Sequence, residues 1–546
     1  MAEHREIEWQ LAASDLPAVR RWLTEHPTIA DLQIEPRDSV DLHDTYLDTD
    51  DWRFHRAGFA LRARASAGAG EATLKSLSSA RNDVADRIEV SEKLPSGDPE
   101  TMGGIAGDVG RRVRAVTGKE PLRRLFEVHT TRERFRVRRD GADVGEIALD
   151  DTLIESAGGR PHARIRRVEV EAHSSRQTQP LEDLVTVLRA ECSLEPASDS
   201  KYVTGLDAAG LAPPNLAELV GPPSDPSMPV LELARTELRR RLAQWAAHEP
   251  GARLGEDPKQ LHDLRVAGRR TDATLRLFES YLPRNLVRAR QGLKKLLRVL
   301  GEARDFDVQL AAFDTLTAEL GPDERAGLAR VRERMMRDRE RARAKMLKQL
   351  DSPTGLRWRQ KLETYLAGTA PPVGRAQRQP AATVLPDLVR RSHRRLRKAA
   401  DALTPSSTPQ DYHHVRRLSK RLRYALDTCC GIYGDSAEKL MSATRRLQNR
   451  LGEQQDAQVA KERLMALAHA RSPRLPPSTA FVLGRLAQRY ENDALRARDR
   501  FGPAWRRVRG KRWKKFRRAM KDAREAAAPT AAGSATPAAL STSQRS

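Results

Sequence analysis

The sequence predicts an α+β protein of several domains, with strands confined to its N-terminal part and a duplicated, all-α part behind them. Three observations predict this arrangement. Apolar residues recur at every second position before residue 210, but at three- and four-residue spacing beyond residue 229. Six prolines between residues 210 and 229 separate the two patterns. A basic helical segment also recurs after 151 residues, which indicates a duplication.

The changes in composition give the expected domain boundaries. A chain of 546 residues is long enough for about three domains. We expect a strand-rich domain at 1–209, a proline-rich linker at 210–228 and a helical domain at 229–524, with repeats at about 229–375 and 380–524. The low-complexity tail at 525–546 is expected to be disordered.

The two parts of the chain differ in charge. Residues 1–210 hold 30 Lys and Arg against 38 Asp and Glu, whereas the remainder holds 68 against 36. The net charge of +24 therefore arises entirely from the helical part. A positive field of this kind attracts polyanions and speeds their arrival, without specifying which polyanion binds.

The sequence also limits the expected compartment. No apolar run approaches the roughly 18 residues that a transmembrane helix needs, and the N-terminus lacks the pattern of a signal peptide. Cys192, Cys429 and Cys430 are too few and too poorly spaced for a disulfide framework or a zinc site. We expect a cytoplasmic protein with reduced cysteines and no membrane partner.

Seven N-terminal segments alternate charged and apolar residues, as do strands that have one charged face. They are EIEW, FALRARA, ATLKSL, DRIEVSE, RERFRVR, GEIALD and RRVEVEA. One interpretation is an ordinary sheet with a solvated charged face. Because these faces mix carboxylates with arginines, a closed sheet with a charged lumen is the alternative. Basic side chains in such a lumen would bind phosphate oxygens, and clustered carboxylates would bind a hard divalent cation.

These segments resemble the CYTH domains, also called triphosphate tunnel metalloenzymes. The E-x-E-x-K strand of that family is matched by EIEWQ, which has Glu6 and Glu8 but Gln10 in place of the lysine. The other matches, which span nearly all of residues 1–208, are YLDTDDWRFHRAGFALRAR with Arg62 and Arg64, TLK with Lys75, R-x-E with Arg87 and Glu89, Arg132 and Arg134, Asp150, E-V-E with Glu169 and Glu171, and Lys201.

The resemblance implies an eight-stranded antiparallel β-tunnel that binds a triphosphate together with Mg2+ or Mn2+. The metal ligands that it implies are Glu6, Glu8, Asp150, Glu169 and Glu171. The catalytic residues that it implies are Glu6, Glu8, Lys75 and Glu89, and the substrate-binding residues are Arg62, Arg64, Lys75, Arg87, Arg132, Arg134 and Lys201. The metal would polarise the terminal phosphate and orient a water for hydrolysis. Gln10 removes one cation from the lumen, which predicts altered specificity or weak activity.

A basic stripe occurs twice in the C-terminal half. LHDLRVAGRR at 261–270 aligns with YHHVRRLSKR at 412–421, and the same offset aligns LGEARDFDV at 300–308 with LGEQQDAQV at 451–459. Positions i, i+3, i+7 and i+8 share one face of a helix, so each stripe presents one histidine and three cations. A solvated basic face would explain one stripe, but its recurrence at a fixed offset favours a binding surface.

The repeated segments resemble the CHAD domain, the conserved histidine α-helical domain, across about residues 229–510. The resemblance implies two pseudo-symmetric helical bundles whose basic helices face one groove that binds inorganic polyphosphate. The polyphosphate-binding residues would be His262, Arg265, Arg269, Arg270, Lys294, Lys295, His413, Arg416, Lys420, Arg421, Arg445 and Arg446. Tyr412 and Tyr424 are the aromatic residues in or next to the two basic segments, and so few stacking platforms disfavour nucleic acid as the partner.

Two features of the helical half allow several interpretations. Asp305 and Asp456 are expected on turns that follow a helix, as helix caps or arginine partners rather than metal ligands. The segment 505–524 contains eleven Lys or Arg and one acid, with Trp505, Trp513 and Phe516 interleaved. It is either the solvated last helix, a rim that extends the groove, or a segment that binds nucleic acid or a membrane.

The sequence therefore predicts metal-dependent, triphosphatase-type hydrolysis of inorganic triphosphate or polyphosphate ends in the tunnel, with polyphosphate binding by the helical domain. The alternative is a non-catalytic binding protein of polyphosphate granules, whose tunnel only binds a phosphate ligand. Polyphosphate granules are accordingly a candidate location within the cytoplasm.

Overall fold

The structure is a computed structural model that describes residues 4–66, 69–77, 84–95, 97–156, 160–174, 178–220, 223–318, 320–368, 374–404, 406–469 and 477–527. The chain forms two compact units. The first comprises residues 1–218 and 243–265, and the second comprises residues 219–242 and 266–546. The domain boundaries expected from composition stay a prediction.

A single sheet organises the first unit. Its strands are β1 (His4–Ala12), β2 (Thr28–Ile29), β3 (Leu32–Pro36), β4 (Val40–Thr49), β5 (Phe59–Ser66), β6 (Ala69–Ser76), β7 (Val84–Lys93), β8 (Leu122–Arg139), β9 (Ala142–Ser156), β10 (Pro161–Ala172) and β11 (Glu195–Pro196). Eight of them pair antiparallel in the order β8-β4-β5-β6-β7-β1-β10-β9, and β9 pairs back with β8. The sheet therefore closes on itself, which confirms the expected eight-stranded antiparallel β-tunnel.

The alternation of side chains along the strands separates the lumen from the outer core. In β1, the apolar Ile7, Trp9 and Leu11 belong to a core cluster with residues of the outer helices. Glu8 and Gln10, at the intervening positions, line the cavity inside the tunnel. The period of two in the sequence thus determines which residues face the site.

The helices described within residues 1–218 of the first unit are α1 (Leu16–Glu25), α2 (Arg53–Ala57), α3 (Asp108–Thr117), α4 (Thr178–Glu191) and α5 (Lys201–Ala208). Tyr202 and Leu206 of α5 pack against Tyr46 and Phe126 of the tunnel wall. Gly205 allows this approach, because a Cβ there would lie 2.1 Å from the Phe126 ring. The docking of α5 positions Lys201, its first residue, at the cavity.

The remaining helices are α6 (Val230–Leu254), α7 (Pro258–Leu277), α8 (Arg284–Ala318), α9 (Pro322–Leu350), α10 (Pro353–Ala367), α11 (Ala381–Asp401), α12 (Pro409–Ala468), α13 (Pro477–Asp499), α14 (Phe501–Arg509) and α15 (Lys511–Ala526). The helical half is all-α, as expected. None of the helices in the described part of the chain combines the length and apolar character of a membrane span.

The helix boundaries repeat with the same offset as the two basic stripes of the sequence. The starts of α6 and α7 recur at this offset as the starts of α11 and α12, respectively. The helix α12 is bent at Gly434, which has a φ of 50°, and the segment after this bend begins at the same offset from the start of α8. Pro229 and Pro380, which precede the two repeats at equivalent positions, form an isolated antiparallel bridge. The duplication is therefore structural.

The turns expected at Asp305 and Asp456 are wrong, because both residues lie inside helices, in α8 and α12. Gly452 instead makes room for a neighbouring side chain, since a Cβ there would lie 3.2 Å from Arg416 Nη2. A glycine inside a helix can thus serve close packing rather than termination.

Residues 243–265, which comprise the second half of α6 and the first part of α7, belong to the same unit as the tunnel. Leu254 joins the core cluster formed with α2 and α3. Arg56 Nη1 donates to Ala246 O at 2.8 Å, and Arg112 Nε donates to Glu256 Oε1 at 2.7 Å. Part of the first predicted repeat therefore clusters with the tunnel.

Candidate functional sites

The tunnel lumen contains a polar cavity of about 990 Å3. Side chains of equal parity on neighbouring strands converge there, because alternate positions of each strand face inward. The predicted site residues that line it are Glu8, Arg62, Arg64, Lys75, Arg87, Glu89, Arg132, Glu169, Glu171 and Lys201. The cavity wall thus combines six cationic and four carboxylate side chains from this set.

Glu8 lies at the centre of one hydrogen-bonded group. Its Oε1 accepts from Gln10 Nε2 at 2.8 Å, from Arg87 Nη1 at 2.9 Å and from Lys75 Nζ at 3.3 Å. The Glu8 side chain is only 4% exposed, so these donors fix the orientation of its carboxylate. The same lysine lies 3.8 Å from Glu89 Oε2.

A second group joins Arg132 and Lys201 to Asp150 and Glu169. Arg132 binds both oxygens of Asp150, at 2.8 and 2.7 Å, and donates to Glu169 Oε2 at 2.5 Å. Lys201 contacts both carboxylates as well. Burial alone would raise the pKa of Glu169, but Lys201 and Arg132 outweigh it and hold that pKa well below its usual range. Glu169 is therefore ionised in the lumen.

Arg62 and Arg64 are oriented by Asp44 of β4, a residue that the motifs did not indicate. Arg64 makes a bidentate contact with Asp44 at 2.7 and 2.8 Å, and Arg62 lies 3.7 Å from the same carboxylate. Burial would raise the pKa of Asp44, yet the two arginines lower it to about 2. This ion pair holds both guanidinium groups at the cavity wall.

Glu171 differs from these carboxylates. Burial and the nearby Glu8 raise the pKa of Glu171 to about 7, although Lys75 partly opposes them. Glu8 and Glu171 are also directly paired across β1 and β10. A divalent cation between such carboxylates would offset the cost of their charge, so the donor set fits a hard metal ion with oxygen ligands.

Three of the predicted site residues are not among the described side chains that line the cavity. Asp150 is fully buried behind the lining, where it holds Arg132 and Lys201. Arg134 donates to Asp38 O at 3.2 Å and is absent from the lining. Glu6 is opposite Arg87 in the β1–β7 register, but its side chain lies outside the part of the structure that is described.

The structure adds Arg167 to the surroundings of Gln10. Arg167 Nη1 donates to Gln10 Oε1 at 3.4 Å, and its Nη2 donates to Thr204 Oγ1 at 3.3 Å. Burial lowers the pKa of Arg167, and Glu169 opposes this. A guanidinium therefore lies directly behind the position where the family motif has a lysine. Arg167 has the parity of Glu169 and Glu171, so the strand pattern could have indicated it.

The two basic stripes of the helical half have matching exposure. In α7 and α12, the histidines His262 and His413 are exposed, and the cations Arg265, Arg269, Arg270, Arg416, Lys420 and Arg421 are half-buried. The intervening Leu264 and Val415 are buried. Lys294 and Lys295 in α8, like Arg445 and Arg446 in α12, are exposed. Each stripe thus places its cations between a packed face and solvent.

Cations of both repeats lie close together within the second unit. Burial lowers the pKa of Arg416, with Arg269 acting in the same direction and Asp456 opposing it. Burial also lowers the pKa of Arg421, and four further arginines, Arg276, Arg417, Arg395 and Arg290, lower it more. Such crowding of like charges is a feature of anion-binding surfaces. The stripe pattern did not indicate these four arginines, because none of them is at a stripe position.

The basic end of the domain uses its aromatic residues for packing. Trp505 is buried and donates through Nε1 to Asp401 Oδ1 at 2.7 Å, and Phe516 is fully buried. Trp513 stacks on His393 with ring centroids 3.6 Å apart. Trp505 and Phe516 are therefore part of the core and Trp513 is half-buried against His393, which favours the interpretation of α14 and α15 as the solvated last helices.

The fold and the lining define a class of protein: an antiparallel tunnel with a charged lumen, joined to a duplicated basic α-helical domain. A model of the CYTH domain matches residues 4–205, and a model of the CHAD domain matches residues 236–465. The chain belongs to the proteins in which a CYTH domain is joined to a CHAD domain. The triphosphate tunnel enzymes of the CYTH family are metal-dependent.

Several solved structures resemble parts of the chain. PptA from Streptomyces chartreusis is 22% identical over 51% of this chain and 99% of its own, with a TM-score of 0.41. The CHAD domain from the plant Ricinus communis is 24% identical over 55% and 94%, with a TM-score of 0.40. HpAC1 from Hippeastrum, a proposed adenylyl cyclase described as having a dominant triphosphatase activity, is 19% identical over 38% and 97%, with a TM-score of 0.30. The comparison with curated proteins found no match.

Proposed function

We propose that the tunnel hydrolyses a terminal phosphoanhydride bond of inorganic triphosphate or of a polyphosphate end. The observation that supports this most directly is the cavity wall, where arginines and lysines surround a space that also contains Glu171 and Glu8. A linear triphosphate presents many anionic oxygens, which guanidinium groups bind in charge-assisted pairs. The cavity therefore matches a compact polyanion that is accompanied by a cation.

Different residues of the lumen would bind the phosphate chain, hold the metal and orient the water. Arg62, Arg64, Lys75, Arg87, Arg132 and Lys201 would bind and orient the phosphate chain. Glu8, Glu169 and Glu171, with Glu6 as a further expected ligand, would hold Mg2+ or Mn2+, which would supply Lewis-acid polarisation of the terminal phosphate. Glu89 would orient the attacking water, since Arg62 and Lys75 overcome the effect of burial and lower the pKa of its carboxyl.

The test is phosphate release by the purified full chain from triphosphate, ATP and long-chain polyphosphate. Each substrate is assayed with Mg2+, with Mn2+ and with a chelator. Release that depends on the metal and is fastest for triphosphate supports the proposal. Equal release with the chelator would contradict the metal-dependent chemistry, and a preference for ATP would change the substrate class.

We further propose that the helical half binds inorganic polyphosphate through both stripes. The supporting observation is the group of arginines around Arg421, which add to the effect of burial in lowering its pKa. A polyphosphate chain carries about one charge per phosphate and no bases, so it requires cations and no stacking surfaces. Polyphosphate granules would accordingly be a place where the protein is found.

A binding protein without catalysis is the second candidate, and Gln10 favours it. This residue stands where the CYTH motif has a lysine, and it removes one cation from the lumen. In that case triphosphate would bind in the tunnel without being hydrolysed. Calorimetric binding of triphosphate combined with no phosphate release in any metal would establish this alternative.

A further inference from the structure

The outer wall of the tunnel carries a histidine pair that the proposed chemistry does not use. His43 of β4 and His129 of β8 are directly opposite each other in the antiparallel register. Their rings stack with centroids 4.1 Å apart and an interplanar angle of 20°. The two side chains are 44% and 43% exposed, so a solute can reach both of them.

Two carboxylates accompany the histidine pair. Glu127 Oε2 lies 3.3 Å from His43 Nε2, and Glu155 Oε2 lies 3.5 Å from His129 Nε2. Glu127 and Glu155 are themselves opposite each other across β8 and β9. Three neighbouring strands of one rigid sheet thus present nitrogen and oxygen donors on the same outer surface.

The donor atoms are close enough to share one ion. One ligand atom from each of His43, Glu127 and His129 lies within 4.8 Å of the other two. The common distance from zinc to a histidine nitrogen or a carboxylate oxygen is about 2.0–2.2 Å, so small side-chain rotations would bring all three donors into range. An outer-wall cavity of about 780 Å3, lined by both histidines, leaves room for water ligands.

We propose that His43, Glu127 and His129 form a binding site for a divalent transition metal of the zinc class, with Glu155 supporting His129. Imidazole donors favour zinc, copper and nickel, whereas magnesium prefers oxygen donors alone. This outer-wall metal site therefore differs in chemistry from the carboxylate set in the lumen. Its ligands lie on the outer surface of β4 and β8, so this proposal does not depend on the proposed hydrolysis in the lumen.

The outer-wall metal site lies next to Asp44, the residue that orients Arg62 and Arg64 in the lumen. His43 precedes Asp44, which faces inward and holds Arg62 and Arg64. A metal ion that bridges His43 and His129 would link β4 to β8 at this level, because the two histidines lie on adjacent strands. Such a link would stabilise the wall from which Asp44 orients the two arginines.

The test is a calorimetric Zn2+ titration of the full chain in excess Mg2+, which occupies oxygen-only sites. Wild-type protein is compared with His43→Ala, His129→Ala and Glu127→Gln. Each change should weaken Zn2+ binding by at least about tenfold, since even the loss of a residue behind a metal ligand costs this much. The control is His173→Ala, which removes an exposed histidine at the end of β10 and should bind as wild type does.

Two further measurements keep the outcome decisive. Thermal unfolding without zinc verifies that the variants are folded, and Zn2+ should raise the melting temperature of the wild type more than that of the histidine variants. Electron paramagnetic resonance of Cu2+ in the wild type should show coupling to nitrogen, which both histidine variants reduce. Unchanged Zn2+ affinity in both histidine variants, or a Cu2+ spectrum without nitrogen coupling, would overturn the proposal and leave only histidine–glutamate ion pairs.

Discussion

At the scale of single residues, the lumen is a balance of opposite charges in which most carboxylates already have cationic partners. Asp44 is held by Arg62 and Arg64, and Glu169 by Arg132 and Lys201. Glu171 departs from this balance, because burial and Glu8 raise its pKa to about 7. Its ionised form is costly in the absence of a cation, which makes it a sensitive probe of the metal.

The first prediction concerns the stability of the metal-free protein with Glu171→Gln. A carboxyl whose pKa is raised by folding contributes stability below its unfolded pKa near 4.5, and this stability is lost as the pH rises through about 7. The variant should therefore match the wild type near pH 4 and be more stable at pH 8, by up to about 3 kcal/mol. Thermal and denaturant unfolding in a chelator measure the difference.

Adding Mg2+ or Mn2+ at pH 8 should remove this advantage, because the cation would stabilise the ionised Glu171 of the wild type. Glu25→Gln, an exposed change on α1, is the control and should have no effect at either pH. A variant that is less stable than the wild type at pH 8 without metal would contradict the account of Glu171.

The second prediction concerns the residue that departs from the family motif. Gln10→Lys should increase the affinity for triphosphate, since it adds a cation beside Glu8 in a lumen proposed to bind a polyanion. Arg167→Gln should decrease that affinity, because it removes the guanidinium that lies behind Gln10. Isothermal titration calorimetry with triphosphate measures both changes.

Arg164→Gln is the matched control for Arg167→Gln. It removes the same charge from the same strand, but Arg164 is exposed and contacts Asp151. This control should bind triphosphate as the wild type does. Reduced affinity in a folded Gln10→Lys protein would mean that the lumen is adapted to another ligand.

The residues that line the lumen were accessible to sequence analysis in part. Parity along the strands and the family motifs indicated ten residues that line the cavity. Parity is informative because side chains alternate between the two faces of a strand with a period of two. Asp44 and Arg167 were missed. The parity of β10 was compatible with an inward-facing Arg167, but the contacts that give both residues their roles join strands that are distant in sequence. No local pattern reports such contacts.

At the scale of elements, the helix α5 completes the site, because it brings Lys201 to the cavity. The third prediction tests its docking with Gly205→Ala. The added Cβ would lie 2.1 Å from the Phe126 ring, so the helix or the ring must move. We expect a loss of about 1–3 kcal/mol in the free energy of unfolding, as for other overpacked positions, together with weaker triphosphate binding.

Gly104→Ala is the control for this change, since a Cβ at that position would meet nothing within 4 Å. Unfolding and triphosphate binding should match the wild type in the control. If Gly205→Ala had the stability and affinity of the wild type, the packing of α5 on Phe126 would not be what positions Lys201.

The fourth prediction concerns the two basic stripes. Arg416→Gln with Lys420→Gln, or Arg265→Gln with Arg269→Gln, should each weaken binding of long-chain polyphosphate on the order of a hundredfold, because the second stripe contacts a chain that is already tethered. Binding should also weaken steeply with salt. Fluorescence anisotropy with labelled polyphosphate measures both effects.

The matched control is Arg337→Gln with Arg341→Gln, which removes two exposed charges from α9, a helix that carries neither stripe. This double variant should bind polyphosphate nearly as well as the wild type. Equal losses in the control and in both stripe variants would indicate attraction by net charge alone. Displacement of polyphosphate by tRNA at equal phosphate concentration would favour nucleic acid instead.

Element boundaries show where sequence patterns succeed and fail. The seven segments with clear alternation are all strands of the tunnel, whereas the eighth strand, β4, was not among them. Its sequence, VDLHDTYLDT, has acids at both parities, since Asp44 faces the lumen whereas Asp41 contacts Thr131 at the surface. The prediction placed turns at Asp305 and Asp456, where the structure has continuous helix.

At the scale of the whole molecule, the chain joins a tunnel with a charged lumen to a strongly basic helical domain. Residues 1–210 carry more acids than bases, and the positive charge lies beyond them. A phosphate polymer bound by the helices would be tethered to the protein. Its chain ends would then be at a high effective concentration for the tunnel of the same protein. Linked phosphates are therefore the ligand class that we propose for both parts of the molecule.

The most direct test of the central claim is phosphate release from triphosphate by the wild type and by Glu8→Gln. Glutamine has the size of glutamate and can still accept from Arg87 and Lys75 through its Oε1, so the fold should be preserved. The account predicts metal-dependent release by the wild type and a loss of at least about a hundredfold in the variant, as for removal of a group that stabilises charge in the transition state. Unchanged turnover in a folded Glu8→Gln protein would contradict it.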